Sequence, residues 1–250
     1  EGLVERWPAY THWSEASLRS SLGETKVHVG GHEMELGCFL DYAAATTDEL
    51  PLYLFDKDFA SKAPRLATEY ETPNYFSAER DLFADLPPGL RPAHRWLIIG
   101  GTRSGATWHV DPNATSAWNA CVCGSKKWIL CPPRAPPPGV TASDDGTMVV
   151  CPISNYEWFR NYYSAIEERR ATTTDYEGVT SAGDLIYVPR GWWHTALNLQ
   201  PTVAITQNYV PFSSAAHVLR YLDPATAQEL VSGVAPARRT QLHAQFLEVL

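Results

Sequence analysis

The 250-residue chain contains 28 acidic and 20 basic residues, a formal net charge of −8 at pH 7. This charge argues against a nucleic-acid partner, because nucleic-acid affinity rests largely on lysine and arginine side chains that neutralise phosphates. No apolar stretch reaches transmembrane length, so no membrane association is expected. The five cysteines form no Cys-x-x-Cys pair, which indicates reduced thiols and an intracellular location, nuclear or cytoplasmic.

The N-terminal part predicts a mixture of elements. "KVHVGGHEMEL" (26–36) predicts a hairpin about Gly30-Gly31, "LGCFLDYAAA" (36–45) a short helix, and "LPLYLFD" (50–56) a strand, followed by polar helical pieces to residue 86. The hairpin also holds possible metal ligands. Its two-residue turn would place His28 opposite Glu33 and Lys26 opposite Glu35, however, and these are ordinary cross-strand charge pairs. We therefore predict no metal site there.

From residue 95 onwards the pattern changes to short strands. They are expected at 95–101, 106–110, 117–123, 126–131, 176–183, 184–189, 192–199 and 202–210. The proline-rich stretch 132–146 predicts a surface loop, and 155–170 a helix. Three helical segments, at 214–222, 224–233 and 238–250, close the chain.

Many short strands with Gly/Pro turns favour a mainly β fold. We predict a double-stranded β-helix, that is, a jelly roll of cupin-like type, with flanking N-terminal and C-terminal helices. Residues 1–212 would form one domain with an N-terminal α/β extension. Residues 213–250 would form helices that pack on it or make a homodimer face, with apolar positions such as Leu242, Phe246 and Leu250.

His109 and Asp111 lie two residues apart in "ATWHVDPN" (106–113), and alternate residues of a strand point to the same side. Both side chains can therefore reach one cation near the end of the strand. The two-histidine, one-carboxylate site of non-haem Fe(II) oxygenases needs one more histidine, which His194 in "VPRGWWHTALNL" can supply. A chance His-x-Asp pair and an ordinary core histidine remain the alternative.

Lys126 shares a strand face with the apolar Trp128 and Leu130. A lysine that faces inward requires a buried anion, and one carboxylate of a dicarboxylic acid would serve. Thr206, on the strand after His194, and Asn119, on the strand expected to pair with that of Lys126, add neutral hydrogen-bonding groups. The spacing alone leaves it open whether Lys126 is instead exposed after its turn.

Two long stretches, "SGATWHVDPNATSAWNACVCGSKKWILCPP" and "AGDLIYVPRGWWHTALNLQPTVAITQNY", resemble the Jumonji-C (JmjC) family of Fe(II)- and 2-oxoglutarate-dependent oxygenases. The resemblance is to the branch of lysyl hydroxylases and arginine demethylases once called phosphatidylserine receptors, and it covers roughly residues 36–212. It implies Fe(II) and 2-oxoglutarate as cofactors and O2 as co-substrate.

The resemblance also assigns roles to individual residues. It implies that the metal ligands are His109, Asp111 and His194. It implies that four residues bind 2-oxoglutarate: Lys126, Thr206, Tyr53 and Asn119. Among these, Lys126 would pair with the distal C5 carboxylate, Thr206 and Tyr53 would donate hydroxyl hydrogen bonds to it, and Asn119 would lie near the chelating end.

The sequence departs from the branch at two points. Ala106 stands where the branch has a threonine, although Thr107 is adjacent, so one hydrogen bond to 2-oxoglutarate is lost or relocated. The basic tracts that often accompany the branch are absent, which weakens the expectation of nuclear targeting and RNA association.

The resemblance predicts a dioxygenase that hydroxylates, or N-demethylates through hydroxylation, a lysine or arginine side chain of a protein or peptide. A tRNA nucleoside hydroxylase and a non-catalytic JmjC scaffold are the alternatives, and the intact ligand set favours an enzyme. The segment 132–173, with Trp158, Arg160 and Tyr163, borders the substrate entrance or is a surface insertion.

Overall fold

The computed structural model describes residues 2–133, 135–143, 149–150, 153–225 and 231–250. The strands are β1 Lys26–Val29, β2 His32–Glu35, β3 Tyr53–Asp56, β4 Arg95–Gly100, β5 Gly105–His109, β6 Ser116–Cys123, β7 Ser125–Cys131, β8 Thr141–Ala142, β9 Val149–Val150, β10 Tyr176–Ser181, β11 Leu185–Val188, β12 Trp193–Asn198 and β13 Thr202–Tyr209. The helices are α1 Ala9–His12, α2 Glu15–Leu22, α3 Leu36–Ala45, α4 Phe59–Lys62, α5 Pro64–Thr68, α6 Asn155–Arg169, α7 Ala215–Leu222 and α8 Arg239–Val249. Within these ranges no helix combines the length and apolar character needed to cross a bilayer.

Two antiparallel sheets form the centre of the fold. The five-stranded sheet has the order β11-β6-β13-β4-β3, and the four-stranded sheet has the order β10-β7-β12-β5. From β4 to β7, and again from β10 to β13, each strand lies in the opposite sheet from the strand before it. This winding is a jelly roll, so the predicted fold class is confirmed.

The period of two along the strands separates a dry outer face from a cavity-lining inner face. On the five-stranded sheet, Leu97 and Ile99 face outward into a core shared with the N-terminal helices, where Trp13 and Phe39 are fully buried. On the four-stranded sheet, outward residues pack against α6. The inner faces carry the polar side chains that sequence analysis selected.

Several predicted elements are confirmed. The β1–β2 hairpin pairs His28 with Glu33 and Lys26 with Glu35, and α3 spans the predicted residues. The proline-rich stretch is not entirely loop, because Thr141–Ala142 pairs with Val149–Val150. Of the segment predicted as a helix at 224–233, residues 226–230 lie outside the described residues, and so do Arg134, 144–148 and 151–152 of the 132–173 segment.

One predicted pairing is wrong. Asn119 does not lie on a strand paired with that of Lys126, because β6 and β7 belong to different sheets. The chain changes sheets at Gly124, which has a φ of 82° and packs so closely on the Pro201 carbonyl that a Cβ would overlap it. A tight glycine turn fits both a hairpin and a change of sheet, so the local sequence could not distinguish them.

The C-terminal helices pack against the rest of the chain rather than standing apart. Leu242 and Phe246 of α8 are fully buried in a cluster with Phe83, Leu90 and Val210. The segment before α8 is held by Ala93, whose N–H donates to the Gly233 carbonyl at 3.1 Å. The last residues therefore cover one end of the jelly roll.

Candidate active site

Two strands and a turn bring His109, Asp111 and His194 together. His109 ends β5, and His194, on β12, lies directly opposite it in the strand register. Asp111 lies just beyond the end of β5, where the chain enters a turn over Pro112–Ala114. The Asp111 Oδ1 atom is 3.9 Å from the Nε2 atoms of both histidines, and one ligand atom from each residue lies within 4.8 Å of the others.

Backbone carbonyls orient both imidazole rings. His109 Nδ1 lies 2.7 Å from the Thr107 carbonyl, and His194 Nδ1 lies 3.0 Å from the Trp192 carbonyl. Because each Nδ1 donates to a carbonyl, each Nε2 keeps its lone pair for a metal. Burial and the neighbouring His109 lower the pKa of His194 well below its usual value, so this ring is neutral, the form that binds metals.

Asp111 is a buried carboxylate whose Oδ2 has no hydrogen-bond partner among the described residues. Burial raises the pKa of Asp111, whereas His109 and the Asn208 amide act in the opposite direction. A buried carboxylate oxygen without a partner is costly unless it binds a cation. Two imidazoles and one carboxylate on one side of a cavity form a donor set that suits Fe(II) and leaves coordination positions open, so the residues fit this metal.

Lys126 points into the same cavity from β7 and is only 1% exposed. Its ammonium group donates to Tyr53 Oη at 2.6 Å and lies 5.6 Å from the centre of the Trp128 ring. Across the described ranges no carboxylate is within salt-bridge distance of it. Burial lowers the pKa of Lys126 to about 8, as expected for a buried ammonium that lacks an anion.

Tyr53 and Lys126 together provide donors for one carboxylate. Burial raises the pKa of Tyr53, so its hydroxyl stays protonated. Because the Tyr53 oxygen accepts from Lys126, its own hydrogen remains available to an anion. In the register of β7 and β12, Lys126 is opposite Asn198, and Leu130 is opposite His194. Lys126 and His194 are therefore four residues apart along the strands, or about 13 Å of backbone at about 3.3 Å per residue. Lys126 and His194 both line the same cavity, so an anion bound at Lys126 lies in one cavity with the metal ligands.

Asn119 and Thr206 lie opposite each other on β6 and β13 and both line the cavity. The Asn119 Oδ1 atom is buried and has no hydrogen-bond partner within the described part of the chain. The Thr206 hydroxyl donates to the Trp118 carbonyl at 2.8 Å, so it must rotate before it can donate to a ligand. The structure thus brings all seven predicted site residues to one cavity of about 330 Å³.

The cavity also contains residues that sequence reasoning missed: Phe55, Trp96, Asn208 and Ser232. Alternation along a strand could have found three of them, since Phe55 follows Tyr53 by two residues, Asn208 follows Thr206 by two, and Trp96 precedes the inward Ile98 by two. No local signal marks Ser232. It reaches the cavity because Asn113 bonds both backbone groups of Ser232, at 2.9 and 3.0 Å.

The structure shows where Thr107 and the 132–173 segment lie relative to the cavity. Ala106 lines the cavity, whereas Thr107 is not among its lining residues, so a hydroxyl is not relocated to Thr107. The described part of the 132–173 segment contributes no residue to the cavity wall. Trp158 is instead buried against Trp108, with ring centroids 4.9 Å apart on the outer face of the four-stranded sheet.

Comparison with known proteins shows the family of the chain. The cupin-like domain family matches residues 1–215, and the chain belongs to that family. It is 44% identical over 250 residues to arginine-specific demethylase JMJ22 of Arabidopsis thaliana, and the match covers the whole chain and 48% of that protein. It is 34% identical over 221 residues to bifunctional arginine demethylase and lysyl-hydroxylase psr-1 of Caenorhabditis briggsae, covering 83% of this chain and 54% of that protein.

A more distant relative is the 2-oxoglutarate and iron-dependent oxygenase JMJD4 of Danio rerio. The identity is 29% over 186 residues, which cover 72% of this chain and 38% of that protein. These relatives confirm the resemblance to the JmjC oxygenases of the psr-1 type. The chain spans about half the length, or less, of the curated relatives named here.

Proposed function

We propose that this chain is the catalytic domain of an Fe(II)- and 2-oxoglutarate-dependent dioxygenase. Its reaction would hydroxylate a lysine or arginine side chain of a protein, or N-demethylate it through hydroxylation. The observation that carries the proposal is the convergence of His109, Asp111 and His194 within one cavity that also holds the ammonium of Lys126, which has no anionic partner among the described residues. The names of the relatives support both the cofactors and the substrate class.

Each group of residues has a distinct task in this proposal. His109, Asp111 and His194 would hold Fe(II), and Lys126 with Tyr53 would bind the distal carboxylate of 2-oxoglutarate. Bound iron and 2-oxoglutarate would supply the oxidising power to hydroxylate a C–H bond with O2, and succinate and CO2 would be released.

The cavity wall would protect this chemistry. Ile98, Trp128, Val188 and Ala196 line it with apolar surface, which excludes water and strengthens the charge interaction of Lys126 with a bound carboxylate. Besides Asp111 Oδ2 at the metal end, the Asn119 Oδ1 atom is a buried oxygen of the wall that has no partner within the described residues. It can accept a hydrogen bond from a ligand or from an ordered water.

Aromatic rings in the cavity support a cationic substrate. Phe55 is 47% exposed, and its ring centre is 5.4 Å from that of Trp96, with an angle of 43° between the planes. Ring faces attract ammonium and guanidinium groups, including methylated ones, by about 0.5 to 2 kcal/mol. Lysine and arginine side chains, as in the names of the relatives, have this chemistry.

Peptide turnover tests the proposal. The chain would be incubated with Fe(II), 2-oxoglutarate and peptides bearing unmethylated or methylated lysine and arginine, and the products analysed by mass spectrometry. We expect gain of one oxygen atom, or loss of a methyl group as formaldehyde, matched by succinate release and abolished in His109→Ala. Product on a tRNA nucleoside instead would favour the alternative substrate class. A folded, metal-loaded protein without any product would favour the scaffold.

A homodimer through the C-terminal helices forms part of the proposal. Leu247 on α8 and Leu250 directly after the helix are half-exposed, whereas Leu242 and Phe246 of α8 are buried within the chain. Light scattering of the purified chain measures the oligomeric state. A mass of two chains that falls to one in Leu247→Glu is the expected result, and a monomer in the unmodified protein contradicts it.

A further inference from the structure

The edge strand that carries His109 contains a β-bulge directly before this residue. His194 is opposite His109, but Ala196 is opposite Ala106, so three steps along β5 match two steps along β12. A bulge redirects the side chains that follow it and leaves backbone groups outside the regular ladder. Here it brings His109 level with His194 at the end of the cavity.

The backbone groups displaced by this bulge are bonded by one side chain from α6. The Asn155 amide nitrogen donates to the Ala106 carbonyl at 2.9 Å and to the Ala196 carbonyl at 2.8 Å. Its amide oxygen lies 3.2 Å from the Thr195 hydroxyl, which is also 2.9 Å from the Ala106 carbonyl. Asn155 is 4% exposed, so water cannot replace these bonds easily.

The two strands are packed unusually closely at this point. A Cβ added to Gly105 would overlap the Ala196 carbonyl oxygen, and the Asn155 amide lies 3.2 Å from the same position. The carbonyl oxygens of Ala106 and Ala196 therefore converge on a single NH2 group. Without that group, two buried carbonyls would lose a donor and repel each other across the bulge.

The bulge determines how His109 is presented. Thr107, which lies within it, provides the carbonyl that accepts the hydrogen bond from His109 Nδ1 at 2.7 Å. A shift of this carbonyl would rotate the imidazole and move Nε2 away from Asp111. The next residue, Trp108, packs on Trp158 of α6, so the same helix supports the bulge from both sides.

We infer that Asn155 is a positioning residue of the metal site: it holds the β-bulge of β5 in the shape that aims His109 at the cation bound by His194 and Asp111. The inference rests on the proposed function for the identity of the site. It gives the 132–173 segment a role in the metal site that is neither a substrate entrance nor a simple surface insertion.

Cobalt binding tests this inference without requiring activity. Co(II) would be titrated into the intact chain and into Asn155→Ala, with absorption spectra to report ligand geometry and thermal unfolding to report stability. We expect the Kd for Co(II) to rise by at least about tenfold in Asn155→Ala, as is typical for loss of a group that orients a metal ligand, with a changed visible spectrum. An unchanged affinity and spectrum would overturn the inference.

Two variants of the same helix separate positioning from stability. Ser154 caps α6 by accepting from the Glu157 N–H at 3.0 Å, so Ser154→Ala weakens the helix but leaves the bulge bonds intact. Asn161→Ala removes an exposed asparagine of α6. Both should bind Co(II) within about twofold of the unmodified chain, given that neither orients a ligand. If Ser154→Ala loses as much affinity as Asn155→Ala, the effect is general destabilisation and the inference is wrong.

Thr195→Val decides the matter if Asn155→Ala does not fold. It removes the second donor to Ala106 while keeping the shape of the buried side chain, and we expect weaker Co(II) binding with a spectral change in the same direction. Normal binding by Thr195→Val in that case would overturn the inference. Absence of Co(II) binding in the unmodified chain would contradict the proposed function itself, whereas normal binding there with unaffected variants contradicts only the role of Asn155.

Discussion

Raising the pH is expected to weaken the binding of 2-oxoglutarate through the charge of Lys126. In the ligand-free site, burial lowers the pKa of this lysine from 10.5 to about 8. Since one pKa unit equals about 1.4 kcal/mol, the charged form costs about 3 kcal/mol there. A carboxylate bound beside Lys126 offsets this cost and raises the pKa again.

The sign of the pH dependence follows from proton uptake. Below about pH 8, Lys126 is already charged before the ligand arrives, so the affinity is constant. Above about pH 8, binding takes up one proton, and the Kd should rise by about fivefold between pH 8 and pH 9 and by nearly tenfold per pH unit beyond that. The free energy of unfolding of the ligand-free protein should increase over the range from about 8 to 10.5, because there the unfolded chain binds more protons than the folded one.

Calorimetric titration of 2-oxoglutarate into the Mn(II)-loaded protein at several pH values measures this effect. The control is Lys126→Met, which should bind weakly at every pH and lose the pH dependence. A constant Kd across the range in the unmodified protein would refute the reasoning. The same slope in Lys126→Met would show that another group titrates.

Three further substitutions have distinct expected outcomes. Asp111→Asn should abolish metal binding by calorimetry yet leave the thermal midpoint of the metal-free protein equal or higher, because it removes a largely buried carboxylate whose Oδ2 has no hydrogen-bond partner among the described residues. A large loss of stability would contradict this. Gly105→Ala should destabilise the protein by about 2 kcal/mol or more in urea unfolding, because the added Cβ overlaps the Ala196 carbonyl. Gly178→Ala is the control and should be nearly neutral, because a Cβ there meets open space. Equal effects of the two substitutions would refute the close approach at Gly105. Asn113→Ala should loosen the segment before α8, by about 2 kcal/mol for two lost hydrogen bonds, and limited proteolysis should then cut there; unchanged protection would contradict the contact.

The parts of the site that follow a local rule could be predicted from the sequence. Strand alternation predicts His109 and Asp111, the need for a second histidine ligand indicates His194, and the apolar strand face of Lys126 indicates a buried anion. The resemblance to the JmjC family assigns the roles of these residues and adds Tyr53. The register of the first hairpin followed from Gly30-Gly31, because a two-residue turn fixes the pairing of the strands on each side. These features depend on neighbours in the chain or on long ordered motifs.

Features that depend on distant parts of the chain were not predictable. The assignment of β6 and β7 to different sheets is decided by which strands lie beside them after closure, and both possibilities share the turn at Gly124. Ser232 reaches the site because the distant Asn113 side chain bonds its backbone groups, and Asn155 because its own side chain bonds backbone carbonyls of β5 and β12. No pattern in the residues around them marks such a contact.

The central claim is that His109, Asp111 and His194 bind Fe(II) together with 2-oxoglutarate held by Lys126. The measurement that tests it most directly is an anaerobic titration of the protein with Fe(II) and 2-oxoglutarate. The titration is followed through the weak visible charge-transfer band that arises when 2-oxoglutarate binds to Fe(II) in the same site. The account predicts a band in the unmodified protein, its loss in His109→Ala and a need for more 2-oxoglutarate in Lys126→Met. A folded protein that binds metal but shows no band at any concentration of 2-oxoglutarate would contradict the account.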